Sequence, residues 1–115
     1  MGTLDLGRIM RIELPDDLTH HVHAIVIAKL RLNEPILVGW TTPDGHHDEL
    51  LVHPSMPVIV SYEDERNLGL DRRRLEFLMR AANGIRGLQV TPELITALDE
   101  LDGERSAGRR ARVAE

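Results

Sequence analysis

Histidine and arginine are the residues through which this chain could do chemistry. It has six histidines. His20 and His23 stand three apart, a spacing that puts two imidazoles on one helix face and can chelate a metal. His46 and His47 adjoin within a turn, and His53 ends a strand-like run just before Pro54. A metal site would need these groups to converge, and no carboxylate stands at the spacing of a known metal motif. Surface and capping roles are the expectation for most of them. His53 is the best single candidate for function, because its loop beside a proline would be held rigid by the scaffold. The plainer reading of His53 is a hydrogen bond that fixes the bend.

The second group is arginine. Arg72, Arg73 and Arg74 open a helical segment, and Arg66 precedes them. Guanidinium groups in a cluster can take phosphate bidentately, which makes this a candidate anion or nucleic-acid patch. Cations at a helix N-terminus oppose its dipole, so the position needs a compensating partner. Glu63, Asp64 and Glu65 could supply one, and pairing with them is the competing expectation. Only Trp40, Tyr62 and Phe77 are aromatic, which leaves little for base stacking.

Composition removes other classes. There is no cysteine, so a disulfide framework, a zinc ribbon and a cysteine nucleophile are excluded. A net charge of −5 opposes global attraction to nucleic acid or anionic lipid. No Gly-rich phosphate loop and no Ser/His/Asp context is present, so neither a cofactor nor a resident metal is expected. The first residues lack the basic and apolar regions of a signal peptide, and the apolar stretch from Val22 to Leu32 is too short to span a bilayer. A cytoplasmic location is the resulting expectation. With 115 residues the chain suits one domain, with about 60–68% of its unfolded surface buried.

The elements that must position these groups follow from period and punctuation. Thr3–Leu6 and Arg8–Leu14 read as two strands across a tight turn at Gly7. Asp16–Leu32 reads as a helix, with Pro15 before it, two aspartates at the cap and first turn, and Leu18, Val22, Ile25 and Val26 at helical spacing. Pro35–Trp40 and Glu49–His53 form a hairpin around the Pro43-Asp44-Gly45 turn. Val58–Tyr62 is a further strand beyond a bend made rigid by Pro54 and Pro57. Leu70–Asn83 is a second helix with Asp71 as N-cap, and Gly87–Val90 a short strand. Thr91-Pro92-Glu93 opens a third helix in good style. The expected class is α+β, a small antiparallel sheet with two helices on one face. Residues 1–91 form the core domain, 92–102 a C-terminal amphipathic helix and 103–115 a disordered tail. That tail has only Val113 as a large apolar residue and cannot offset its ordering entropy.

The last helix carries an apolar stripe, Leu94, Ile95, Leu98 and Leu101. It follows a complete-looking domain. Either it packs back on its own sheet, or, with Trp40, it offers an interface to a protein partner or a second copy of the chain.

Three stretches carry a family resemblance. They are Met1-Gly2-Thr3-Leu4; Asp17-Leu18 through Lys29-Leu30-Arg31 with Asn33-Glu34 and Trp40; and His53-Pro54-Ser55 through Arg66, Leu70-Asp71-Arg72, Leu75-Glu76, Ala81-Ala82-Asn83, Gly87-Leu88 and Pro92-Glu93. Over residues 1–93 the chain resembles a family of small actinobacterial proteins of uncharacterised function. Some of its sequences bear an ATP-dependent DNA ligase label. That activity does not carry over, because a ligase needs a nucleotidyl-accepting lysine in a far larger fold. The one lysine here, Lys29, falls in mid-helix. Where the family commonly has Asn this chain has Asp71, and where it has an aromatic-Gly pair this chain has Glu63-Asp64.

The expectation is therefore a non-catalytic interaction module that binds a protein partner or itself. The alternative is a nucleic-acid accessory protein that contacts phosphates through the arginine cluster.

Overall fold

A computed structural model describes residues 1–66 and 68–101. The expected tail at 103–115 lies outside the described residues. Eight elements run in chain order: β1 (Gly2–Leu6), β2 (Met10–Leu14), α1 (Asp16–Arg31), β3 (Ile36–Thr41), β4 (His47–Val52), β5 (Val58–Ser61), α2 (Arg72–Ala82) and β6 (Leu88–Val90). Helical residues 92–101 follow as α3. The class is α+β, and the order agrees with the sequence pattern.

The sheet differs from the single antiparallel one expected. There are two three-stranded sheets, ordered β2-β1-β5 and β4-β3-β6. The first is antiparallel throughout, with Leu4 opposite both Ile12 and Val60. In the second, β3–β4 is an antiparallel hairpin, but β6 joins β3 in parallel, with Val38 opposite Leu88. Pro54 and Pro57 explain the division. They cannot donate to a ladder, so the chain bends out of the β3–β4 plane. The Pro57 carbonyl accepts from the Gly7 N–H at 2.8 Å, which directs β5 to the edge of β1. The parallel pair follows because α2 intervenes before β6, and parallel pairing needs such a crossover.

The β1–β2 turn has positive φ at both central residues, 65° at Gly7 and 61° at Arg8. This is the mirror-type turn whose twist suits a hairpin. The φ at Gly7 favours glycine, and a Cβ there would push the Met56 methyl aside. The turn leaves Ile9 outside the ladder at the hairpin tip.

In α1, Pro15 rather than Asp16 takes the N-cap position, and Asp16 and Asp17 both fall in the first turn. The α2 cap is as expected: Asp71 accepts from the Arg73 N–H at 3.3 Å. The two helices pack side by side and run parallel, with a polar clasp at each end. At the N-terminal ends, Arg74 donates to Asp17, and His21 bridges the Asp17 carbonyl (2.8 Å) and the Asp71 N–H (2.9 Å). At the C-terminal ends, Lys29 donates to Asn83 and, at 3.1 Å, to Glu34.

Apolar side chains from both sheets meet beneath α1 and α2. Leu4, Leu6, Ile12, Val26, Val38, Val52, Leu78, Leu88 and Val90 are fully buried. Each such side chain contributes roughly 1.5–3 kcal/mol by leaving water. Leu98 of α3 joins the same core at 1% exposure, and Leu94, Ile95 and Leu101 pack against it. The apolar stripe of α3 is turned inward onto its own domain. It is not a free face awaiting a partner.

Candidate functional site

The arginine cluster does not assemble into one open patch. Arg74 is 5% exposed and bonds to Asp17 inside the α1–α2 clasp. Arg72 pairs with Glu76 one turn along α2 at 3.0 Å. Arg66 is held by Asp64 through two hydrogen bonds of 3.0 and 3.1 Å. That bond keeps the Asp64 carboxyl below its usual range and raises the Arg66 guanidinium above its own. Arg73 is exposed on α2. The carboxylates of the chain thus take up the charge that a phosphate would have needed.

The histidines also stay apart. His20 Nδ1 lies 2.9 Å from the Tyr62 hydroxyl, with the two rings edge to face. Burial, and then the nearby His20, lowers the pKa of His23 below its ordinary value. His47 Nδ1 lies 2.7 Å from the Thr41 hydroxyl. His53 is exposed. Its backbone, not its ring, makes the bend: the Met56 N–H donates to the His53 carbonyl at 3.0 Å, and the His53 N–H faces the Met56 sulfur at 3.3 Å. Among the described residues no three His, Asp or Glu side chains are placed to hold a metal ion. His21, unremarked in the sequence pattern, is the buried one, at 1% exposure, and it works as a helix clasp.

Trp40 is where chemistry of another kind gathers. It is 7% exposed on β3 and borders two hollows, one on each side. The first, of about 420 Å³, lies between Ile9, Met10 and Arg11 on one wall and Asp48, Glu49 and Leu50 on the other. The second, of about 530 Å³, is more apolar. Leu14 and Pro15 form one wall, Pro43 the next, and Pro92 and Ile95 of α3 the third. Thr42 borders both hollows, so together they make one trough along the seam between the sheets. β2 is the outermost strand of its sheet, and its outer edge runs beside both hollows.

The trough combines apolar side chains with the carboxylate of Asp48 beside Trp40. Ile9 stands at its mouth with 72% of its surface exposed. Arg11 lies 3.8 Å from Glu13, and the N-terminal ammonium is held by Glu63 at 2.6 Å. That Glu63 hydrogen bond, first among the causes, raises the ammonium's pKa. Asp48 has no ion-pair partner among the described residues, and Glu49 accepts from the Gln89 amide at 2.9 Å and faces His47 at 3.7 Å. Asp44, at the hairpin turn, is held below the usual carboxylate range by a hydrogen bond from the Thr42 hydroxyl. Chemically the site offers an unpaired strand edge, apolar hollows at alternate positions and negative charge.

Of the five residues expected at an interface, Trp40 and Ile95 line this trough. Leu98 lies in the core, and Leu94 and Leu101 are packed against it. Ile9, Thr42, Asp48 and Leu50 were missed. The signal for Ile9 was present, since a large apolar residue directly after a Gly-Arg turn has no ladder reason to be there. The remaining walls depend on which sheet edges meet.

No helix among the described residues is long and apolar enough to cross a membrane. No curated protein and no solved structure matches the chain. The profile of a domain of unknown function, DUF7882, matches residues 1–93, which includes every wall of the trough except the part of α3 beyond Glu93. The chain belongs to the DUF7882 family.

Proposed function

We propose that this protein is a non-catalytic interaction module that binds an extended, basic segment of a partner protein in the trough beside Trp40. The observation that carries the reading is the juxtaposition of the outer edge of β2 with two hollows that share Trp40, one half polar and one mainly apolar. An extended peptide would add to such an edge through its backbone and set alternate side chains into the hollows. The carboxylate of Asp48, opposite Trp40 on the same face of the β3–β4 hairpin, selects a partner with Lys or Arg at the outward positions. Natural sheet edges are blunted by charge or cover. Here Arg11 and Glu13 are the exposed residues of β2 and lie 3.8 Å apart, and among the described residues no strand pairs with its outer edge.

The phosphate-binding alternative gains nothing from the arrangement of Arg66, Arg72 and Arg74, each of which is engaged by a carboxylate. A display library of random extended peptides, selected on the full-length chain, tests the proposal. Enriched sequences should alternate apolar and basic residues, and Ile9→Glu should abolish their binding while the chain stays folded. Enrichment that is indifferent to Ile9→Glu and Asp48→Asn, or no enrichment at all, overturns it.

A further inference from the structure

The trough has a candidate occupant within the same chain. Residues 1–101 carry 10 basic against 16 acidic side chains, while the 14 residues from 102 onward carry four arginines, Arg105, Arg109, Arg110 and Arg112, against three acids. The arginines are followed by Val113, the one large apolar residue of that segment. Basic positions beside a single apolar side chain are what the trough would select, if it binds peptides as proposed above.

The route is short. α3 begins at the trough, where Pro92 and Ile95 form a wall, and is described as far as residue 101. Ten helical residues span about 15 Å. Eleven residues of extended chain reach about 35 Å, so a segment doubling back along α3 returns to the trough with length to spare. Its path is prepared. The outer side of α3 carries a shallow hollow between Pro92, Thr96 and Ala97, with Glu93 and Glu100 on its rim. Arginines would pass over Glu100 and Glu93 before reaching Asp48.

We infer that the trough is occupied in cis by the arginine-bearing C-terminal segment, residues 105–113, which a partner must displace. This inference rests on the trough being a peptide site. Tethering gives the segment an effective concentration on the order of 1 mM. A segment with a Kd of about 100 μM in trans would then fill the trough about nine-tenths of the time and weaken a competing peptide roughly tenfold.

The chain supplies its own probe, since Trp40 is its sole tryptophan and it has no cysteine. Ala114→Cys in the full-length chain takes a single acceptor dye, and energy transfer from Trp40 reads the approach of the segment. Transfer should be strong at low salt and fall as salt screens the charges. It should fall several-fold when Arg105, Arg109, Arg110 and Arg112 are all changed to Ser, and it should not depend on chain concentration. Equal transfer in both chains overturns the inference. Transfer that grows with chain concentration also overturns it and assigns the segment to a second copy. Peptide selection on the four-serine chain separates this from the parent reading. No enrichment there defeats the peptide site itself, whereas enrichment with equal transfer defeats only the occupant.

Discussion

His21 Nε2 accepts a hydrogen bond from the Asp71 backbone N–H, 2.9 Å away and fifty residues on in the chain. Its other ring nitrogen bonds to the Asp17 carbonyl, so it must be the neutral tautomer protonated at Nδ1. One imidazole thus satisfies an orphan donor near the start of α2 and ties the two helices together. His21→Leu keeps the volume but removes the ring's hydrogen bonds to the Asp71 N–H and the Asp17 carbonyl. It should cost about 1–3 kcal/mol, read as a lowered midpoint in urea unfolding. A chain with the wild-type midpoint would mean that the clasp is ornamental.

α3 belongs to the core although all of it after Glu93 lies beyond the family match. Leu98→Ala removes a fully buried side chain and should cost about 2–5 kcal/mol, and deletion from residue 92 should yield a chain that melts early or aggregates. The sequence pattern allowed the opposite outcome, an intact domain lacking only an interface. Thermal unfolding of the truncated chain decides between them, and a cooperative transition near the wild-type temperature would refute the packing described for Leu98.

His23 makes stability depend on pH. Burial, and then His20, holds its pKa below the ordinary 6.5. The folded chain therefore binds fewer protons than the unfolded one in the interval between the two values. This contribution to stability is fully present above 6.5, declines as pH falls below it, and stops changing once pH is under the folded value. Urea midpoints measured from pH 7.5 downward should fall less steeply in His23→Gln than in the wild type. Parallel slopes would show that burial of His23 does not matter.

The sequence made most of the elements legible because their signals are local. Pro15 with two aspartates starts α1, Asp71 caps α2, Thr91-Pro92 starts α3, and Pro43-Asp44-Gly45 turns the hairpin. What it hid is non-local. The division into two sheets depends on where β5 lands after Pro54 and Pro57, and the parallel β3–β6 pair depends on the path around α2. The partner of Arg74 was hidden for the same reason. Asp17 lies 57 residues before Arg74 and cannot be seen as its partner along the chain. Trp40 and Ile95 were legible as interface candidates, because each is a large apolar residue near the end of an otherwise adequate core. Ile9 and Leu50 became part of the site only when the edges of the two sheets met.

The most direct measurement is a map of backbone amide shifts in isotopically labelled full-length chain, titrated with a peptide from the display selection. Shifts should concentrate at Ile9, Arg11, Glu13, Thr42, Asp48 and Leu50 and at the Trp40 indole, and leave Arg66, Arg72 and His53 unmoved. Shifts centred on Arg66 and Arg72, or spread evenly over the surface, would contradict the assignment of binding to the trough beside Trp40.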